Sequence, residues 1–125
     1  MRTGEIMSES EARKDSGKAL ADAAKAYIEA HSAEKFSLRA VSQALFVNGS
    51  YLLRVFKANT GHTLLEYHNT VRCERAKQLL MSEAMPISQI GDEVGFVSSA
   101  HFSHVFKKIV GVTPSEYRIM QQKEI

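Results

Sequence analysis

Two stretches of the sequence, 50 residues apart, carry side chains that donate hydrogen bonds or bear positive charge at matching positions. Arg54 and Lys57 lie in the first stretch, and a histidine and a lysine replace them in the second. There is no Asp or Glu between residues 48 and 61, or between residues 98 and 111. A surface that faces phosphates must avoid carboxylates, because the two groups repel each other. The pattern therefore favours a polyanion as the binding partner.

Histidines and one cysteine are the residues that could ligate a metal or attack a substrate. His101 and His104 are spaced to share one helix face, and His62 and His68 lie elsewhere in the chain. The sequence has no HExxH motif, no pair of cysteines and no carboxylate in the same helix to complete a set of metal ligands. No motif of a catalytic nucleophile surrounds Cys73. We therefore predict that the chain is not an enzyme and binds no metal and no cofactor.

Length and composition restrict the class of protein further. A chain of 125 residues forms one compact domain or two very small ones. Its formal net charge of +2 is mildly basic and by itself weak evidence for any partner. No apolar run approaches the roughly 18 residues of a membrane span, and the N-terminal residues do not resemble a signal peptide. The single cysteine excludes an internal disulfide. We predict a soluble, cytoplasmic protein with no membrane contact.

A phrase of thirteen letters is repeated along the chain. Residues 55–67 read VFKANTGHTLLEY and residues 105–117 read VFKKIVGVTPSEY, with seven identical letters in register. Apolar residues before the phrase match with an offset of 49, and those around it with an offset of 50. The repeat therefore predicts two copies of a short helix, a turn, a longer helix and a capped exit. Such a pair of helices is typical of a helix-turn-helix that reads DNA, and a bundle that only packs helices is the alternative.

Helical periodicity extends from about Gly17 to near the end of the chain, and no segment alternates long enough to form a strand. We predict an all-α fold of seven helices, preceded by a flexible tail over residues 1–16. The first helix is predicted from Ala19 to His31. Its predicted inward residues are Leu20, Ala23, Ala24, Tyr27 and Ile28.

Local signals predict where the other helices begin and end. Side-chain caps and Thr-Glu capping boxes mark the starts, and glycines in a left-handed conformation mark the ends. The predicted caps are Ser37, Asn48 and Ser98, the boxes begin at Thr63 and Thr113, and the stops are Gly61 and Gly111. The predicted core residues are Leu38, Val41, Leu45, Leu52, Phe56, Ile90, Phe96, Phe102 and Phe106, and we also expect Val55 and Ile109 to point inward.

Three segments carry a resemblance to a known family: FSLRAVSQALFVNGSYLLRVFKANTG, EYHNTVRCERAKQLL and ISQIGDEVGFVSSAHFSHVFKKIVGVTPSEYR. They resemble the AraC/XylS family of bacterial transcription regulators over about residues 18–118. The most specific part is the series GF, FSxVFKK, G and TPxEYR in the second copy. The resemblance implies a first helix-turn-helix subdomain over residues 17–62, a linker helix over 63–82 and a second subdomain over 83–122.

The resemblance also implies that two recognition helices, residues 49–60 and 99–110, enter successive major grooves of double-stranded DNA. A linker helix of about eighteen residues is roughly 27 Å long, which suits readers about one turn of B-DNA apart. Gly91 stands where the family usually has alanine, and we expect it to loosen its short helix.

Arg54 is the strongest candidate for a base contact, because a guanidinium can form two hydrogen bonds with guanine. Ser50 stands where the family reads bases, and a phosphate contact is equally compatible with it. Leu53 replaces a residue that is often polar, so it either contacts a thymine methyl group or leaves the first subdomain poorly discriminating. The reading positions of the second copy hold Ser99, Ala100, His101 and His104. The candidates for phosphate contacts are Ser37, Lys57, Ser98, Lys107, Lys108 and Thr113.

The partners that the resemblance implies are double-stranded DNA, RNA polymerase, and a sensor domain that is attached or separate. We expect this chain to be a monomer in the bacterial cytoplasm, associated with the nucleoid. It is either a free-standing regulator or the C-terminal piece of a longer one, and activation and repression both stay open. The alternative function is a protein–protein interaction module on the same fold, with weak or non-specific DNA binding.

Overall fold

A computed structural model describes the backbone of residues 9–82 and 84–123, and the side chains of residues 15–82 and 84–122. The described residues form seven helices and no strand, which confirms the predicted all-α fold. Residues 1–8 of the predicted tail lie outside the described residues. The helices are α1 Glu9–Ala30, α2 Leu38–Ala44, α3 Gly49–Thr60, α4 Leu64–Leu80, α5 Ile87–Glu93, α6 Ser99–Val110 and α7 Pro114–Lys123.

Helix α1 begins at Glu9, well before the predicted start at Ala19. The additional turns contain Glu, Ala, Arg and Lys, which favour helix even where no apolar periodicity exists. Apolar periodicity indicates which residues are buried and does not indicate helix propensity, so the start of α1 predicted from it is too late.

The helices are divided between two compact units. The first unit contains α1 and the segment Ser37–Leu64, which carries α2 and α3. The second unit contains α4 from Leu65 onward, together with α5, α6 and α7. It also contains the segment His31–Phe36, although both neighbours of that segment in the sequence belong to the first unit.

In the first unit, α1 packs against α3 through a row of small side chains. Ala21, Ala24 and Ile28 are buried on α1, and Leu52 and Phe56 are buried on α3. The predicted inward position of Ala23 is wrong, because the buried row follows 21, 24 and 28 and leaves residue 23 exposed. Two predicted core residues of α2 are only partly buried, namely Leu38 and Leu45.

The core of the second unit is built mainly from aromatic and branched side chains of α4, α5 and α6. The ring of Phe102 lies between those of Phe96 and Phe106, with centroids 5.3 and 5.7 Å away. Ile109 is 38% exposed, so its predicted inward position is wrong, and Val110 packs on the core instead. The buried cluster consists of Cys73, Ala76, Leu80, Ile90, Val94, Phe96, Phe102, Val105 and Phe106.

The turns that join α2 to α3 and α5 to α6 share one hydrogen-bond pattern. Val47 donates its N–H to the carbonyl of Ser42 at 3.0 Å, and Phe96 donates to Gly91 at 2.9 Å. Each of these hydrogen bonds closes the end of the short helix, and the residue before the donor, Phe46 or Gly95, has a left-handed backbone. The second turn contains one more residue, as the change of offset predicts, and the additional Val97 is 92% exposed.

Gly91 allows α5 to pack closely on α6. A Cβ atom at Gly91 would lie 2.8 to 2.9 Å from three atoms of the Phe102 side chain. Real Cβ atoms essentially never approach that closely, so an alanine requires the ring to move. The sequence-based expectation treated this glycine only as a weakness of the helix, whereas the packing of the two helices depends on it.

An arginine holds the loop before the short helix of each copy. Arg72 of α4 donates from Nε to the carbonyl of Ser32 and from Nη2 to that of Glu34, both at 2.7 Å. Arg118 of α7 donates to the carbonyl of the last residue of α4 and to those of two residues in the loop before α5, at 2.8 to 2.9 Å. These carbonyls belong to Leu80, Ser82 and Met85.

Candidate nucleic-acid interface

Helix α3 presents one apolar face and one polar face. Asn48 caps its first turn, as predicted, by accepting the N–H groups of Ser50 at 2.8 Å and Tyr51 at 3.2 Å. Gly61 ends the helix with a φ of 80°, which confirms the predicted stop. The predicted contact residues of this helix all lie on its exposed side, and they are Ser50, Leu53, Arg54 and Lys57.

An aromatic contact on the exposed side of α3 escaped the sequence analysis. The guanidinium carbon of Arg54 lies 5.2 Å from the centroid of the Tyr51 ring. The two residues are three positions apart, the spacing at which side chains of neighbouring helical turns meet. An aromatic residue three positions before an arginine is a signal that the sequence contains, although it is a weak one.

Helix α6 has the same construction in the second unit. Ser98 caps it by accepting the N–H of His101 at 3.0 Å, and Gly111 ends it with a φ of 98°, both as predicted. Its Phe102 and Phe106 side chains are buried on its inner side. The predicted contact residues are again exposed on the other side, and they are Ser99, Ala100, His101, His104, Lys107 and Lys108.

His101 differs from Tyr51, its register equivalent in α3. Its imidazole stands edge-on to the Phe96 ring, with centroids 5.4 Å apart and planes at 80°. The side chain is exposed, yet it contacts an aromatic ring of the core rather than a cation. Helices α3 and α6 therefore both have a side-chain cap and a buried inner row, and they differ on their outward faces.

Three of the predicted phosphate contacts lie at helix starts. The Ser37 hydroxyl accepts the N–H of Ala40 at 3.1 Å, and Ser98 caps α6 as described above. Each hydroxyl keeps its own hydrogen for donation to a phosphate. Thr113 forms the predicted capping box, with its N–H 2.9 Å from Glu116 Oε1 and its Oγ1 accepting the Glu116 N–H at 3.1 Å.

The Glu116 carboxylate places negative charge beside Thr113. Hydrogen bonds from Thr113, first from its backbone and then from its side chain, lower the pKa of Glu116 from 4.5, so this carboxyl is ionised at neutral pH. A phosphate at Thr113 would have to approach that charge, which gives this candidate less support than Ser37 or Ser98. The box at Thr63 stays a prediction.

Two buried titratable side chains, Cys73 and His68, have shifted pKa values. Burial raises the pKa of the Cys73 thiol to about 11, so the sulfur stays protonated at neutral pH and is a poor nucleophile. Burial, and then the positive charge of Arg72, lower the pKa of His68. Within the described residues no three His, Cys, Asp or Glu side chains are grouped to hold a metal, and no helix is long and apolar enough to cross a membrane.

Comparison with known proteins agrees with this architecture. A family model described as a helix-turn-helix domain matches residues 41–120. The arabinose operon regulatory protein of Salmonella typhimurium is 38% identical over 93 residues, which are 74% of this chain and 33% of that protein.

Two solved structures have the same fold. The C-terminal domain of AraT, a response regulator from Geobacillus stearothermophilus, is 33% identical with a TM-score of 0.75, over 81% of this chain and 84% of that one. A transcriptional regulator with an AraC-type DNA-binding domain, from Chromobacterium violaceum, is 30% identical with a TM-score of 0.77, over 84% and 94%.

Two copies of a short helix, a closed turn and an exposed second helix define a tandem helix-turn-helix protein. With these similarities, the chain belongs to the AraC family of DNA-binding transcription regulators, which are not enzymes. It spans about a third of the length of the arabinose operon regulator that it matches.

Proposed function

We propose that this protein is a sequence-specific DNA-binding transcription regulator that inserts α3 and α6 into successive major grooves. The observation that carries the proposal is the pair of exposed helix faces without a carboxylate. Neither α3 nor α6 contains an Asp or a Glu, and each has a basic residue in its last turn. A helix between two rows of phosphates needs this charge pattern, whereas a helix that only packs in a bundle does not.

In the first unit, we propose that Arg54 reads a guanine through two hydrogen bonds. Ser50, one turn earlier, bonds a base edge or a neighbouring phosphate, and Leu53 contacts a thymine methyl group. Lys57 and the Ser37 hydroxyl bind phosphates and fix the position of the helix on the duplex.

In the second unit, the reading positions hold smaller or weaker donors. We propose that His104 and His101 contact base edges or phosphates, and that Ser99 and Ala100 allow a close approach to the bases. Lys107, Lys108 and Ser98 bind phosphates, while Thr113 contributes least because of its neighbour Glu116. The second unit is therefore the less discriminating of the two.

The wider biological role is proposed on the family alone. The chain would act with a sensor domain, attached or separate, and with RNA polymerase, and both activation and repression are compatible with it. By itself the chain would be a monomer, and it would act in the bacterial cytoplasm on the nucleoid.

The test is selection of binding sites from a random duplex library at near-physiological salt. Two short sequence boxes about one helical turn apart are the expected result. A single sequence box would show that only one of the two units recognises a DNA sequence. Salt-sensitive binding without any enriched sequence would contradict the proposal and favour a protein–protein interaction module on the same fold.

Two matched variants separate base reading from phosphate binding. Arg54→Ala is expected to erase the preference at one base pair, by about 1–3 kcal/mol of discrimination. Lys57→Ala is expected to weaken binding to all sequences and to reduce the slope of log K against log salt by about 0.9. Arg75→Ala, at an exposed arginine of α4 outside the proposed contacts, is the control and is expected to change neither quantity.

A further inference from the structure

The Tyr51 ring and the Arg54 guanidinium form a pair on the exposed side of α3. The guanidinium carbon is 5.2 Å from the ring centroid, within the range of a cation–π contact. Tyr51 keeps 41% of its surface exposed and is not one of the buried residues that form the core of the first unit. It contacts Arg54 through its ring, and its N–H is capped by Asn48.

The contact with the ring leaves the hydrogen-bonding edge of the guanidinium available. A cation–π contact acts through the charge of the guanidinium and the face of the ring. A guanine is recognised through the N–H donors that lie in the guanidinium plane. The contact with Tyr51 and the binding of a guanine are therefore compatible.

We propose that Tyr51 is a positioning residue that determines base specificity in the first unit, by holding the Arg54 guanidinium in the orientation that reads a base. The inference rests on the proposed function, since it requires Arg54 to contact DNA. A free arginine side chain loses much rotational freedom when it binds, and a side chain that is already held loses less. The correct base gains from this orientation, whereas a phosphate, which accepts hydrogen bonds from many directions, gains less.

The second unit lacks this device. His101 and His104 are the register equivalents of Tyr51 and Arg54, and the His101 ring contacts Phe96 instead. No aromatic side chain holds a guanidinium on α6, which contains no arginine. We therefore expect Tyr51 to add to the discrimination of the first unit, with no counterpart in the second unit.

The experiment measures binding of the full chain to its selected site and to the site with the Arg54-dependent base pair replaced. That base pair is identified beforehand as the one whose preference Arg54→Ala erases. For Tyr51→Leu we expect the ratio of the two dissociation constants to decrease about two- to fivefold, the size of an exposed cation–π contact. The salt slope should stay unchanged, because no charge is removed. Tyr51→Phe keeps the ring and should keep the ratio.

A double-mutant cycle completes the test, because Tyr51→Leu should have no effect on the ratio once Arg54 is alanine. An unchanged ratio in Tyr51→Leu would overturn the proposal. An equal loss in Tyr51→Phe would overturn it as well, and would assign the effect to the hydroxyl group. If the parent protein selects no sequence at all, the proposed function fails first, and that result is distinct from a selective parent with an indifferent Tyr51→Leu.

Discussion

Phe46 and Gly95 occupy the same position in the two helix-turn-helix turns and share a left-handed backbone, with φ of 57° and 108°. A glycine adopts this conformation without steric cost, whereas a side chain with a Cβ atom pays about 1–2 kcal/mol. The Phe46 side chain is 94% exposed, so it offsets none of that cost by burial. The first turn is therefore strained where the second is not.

Phe46→Gly is expected to raise the free energy of unfolding by about 1 kcal/mol, because it relieves the strain and removes no buried surface. Urea denaturation followed by circular dichroism measures the change. Val47→Gly, at the next residue, is the matched control and should destabilise the protein, since Val47 is partly buried and has no positive φ. A less stable Phe46→Gly variant would contradict the assignment of strain to this residue.

Gly91→Ala is expected to destabilise the protein by about 1–3 kcal/mol, the usual cost of overpacking a core. Helix propensity alone predicts the opposite sign, a gain of about 1 kcal/mol, so the direction of the change decides between the two effects. Thermal or urea unfolding provides the measurement.

A second change tests the steric cause at Gly91. In the first copy the equivalent pair is Ser42 and Leu52, and both residues are buried. Serine is larger than the glycine of the second copy, and leucine is smaller than the phenylalanine. Phe102→Leu should therefore reduce the penalty of Gly91→Ala, with a coupling of about 1 kcal/mol in a double-mutant cycle. Additive effects would show that the Phe102 ring is not the obstacle.

Arg72→Met is expected to lower the free energy of unfolding by about 2–4 kcal/mol. The substitution removes two charge-assisted hydrogen bonds, from Arg72 to the Ser32 and Glu34 carbonyls. Arg72→Lys should recover only part of the loss, because an ammonium lacks the planar pair of donors. Arg75→Met, on the exposed side of the same helix, is the control and should change stability by less than about 0.5 kcal/mol. Equal effects at positions 72 and 75 would refute the anchoring role.

The stability of the protein should decrease as the pH falls below 6.5, in part because of His68. Burial and the charge of Arg72 lower the pKa of His68 from 6.5, while hydrogen bonds with the Glu34 and Ser32 backbone act in the opposite direction. The unfolded chain therefore takes up a proton at about pH 6.5, and the folded protein takes it up only at lower pH. The stability associated with a neutral His68 is complete above pH 6.5 and is lost progressively below it.

His68→Asn keeps an N–H donor and removes the titration. Its free energy of unfolding, measured in urea at pH 7, 6 and 5, should fall less steeply than that of the parent. Glu116 contributes little between pH 7 and 5, because the stabilisation from its lowered pKa is lost only as the pH falls below its ordinary value of 4.5. Parallel slopes for variant and parent would exclude His68 as the source of the pH dependence.

Local signals made much of the fold predictable. The caps at Ser37, Asn48 and Ser98 were predicted because a capping side chain and the N–H groups it accepts lie within three residues of each other. The repeated phrase predicted the two copies, because most of its identical residues are inward-facing residues and helix-end residues of the same motif. The predicted inward position of Ile109 is wrong because it lies in the last turn of α6, where Val110 packs on the core and Ile109 is exposed.

Contacts between distant parts of the chain were not predictable. The carbonyls that Arg72 binds are 40 and 38 residues away, and a backbone carbonyl has no identity in the sequence. The left-handed Phe46 was also missed, because the side chain gives no sign of that conformation. The sequence predicted which candidate contact residues are exposed together on α3 and on α6. The contact between the Tyr51 ring and the Arg54 guanidinium was found only in the structure.

The segment His31–Phe36 lies in the second unit, while α1 before it and α2 after it lie in the first. Neither unit is therefore a continuous piece of chain, and no single cut separates them with all their contacts intact. Arg72, which binds this segment, lies in α4 and is added to the chain after α1, α2 and α3. The segment between α1 and α2 therefore lacks its hydrogen bonds to Arg72 until more than half of the chain has been synthesised.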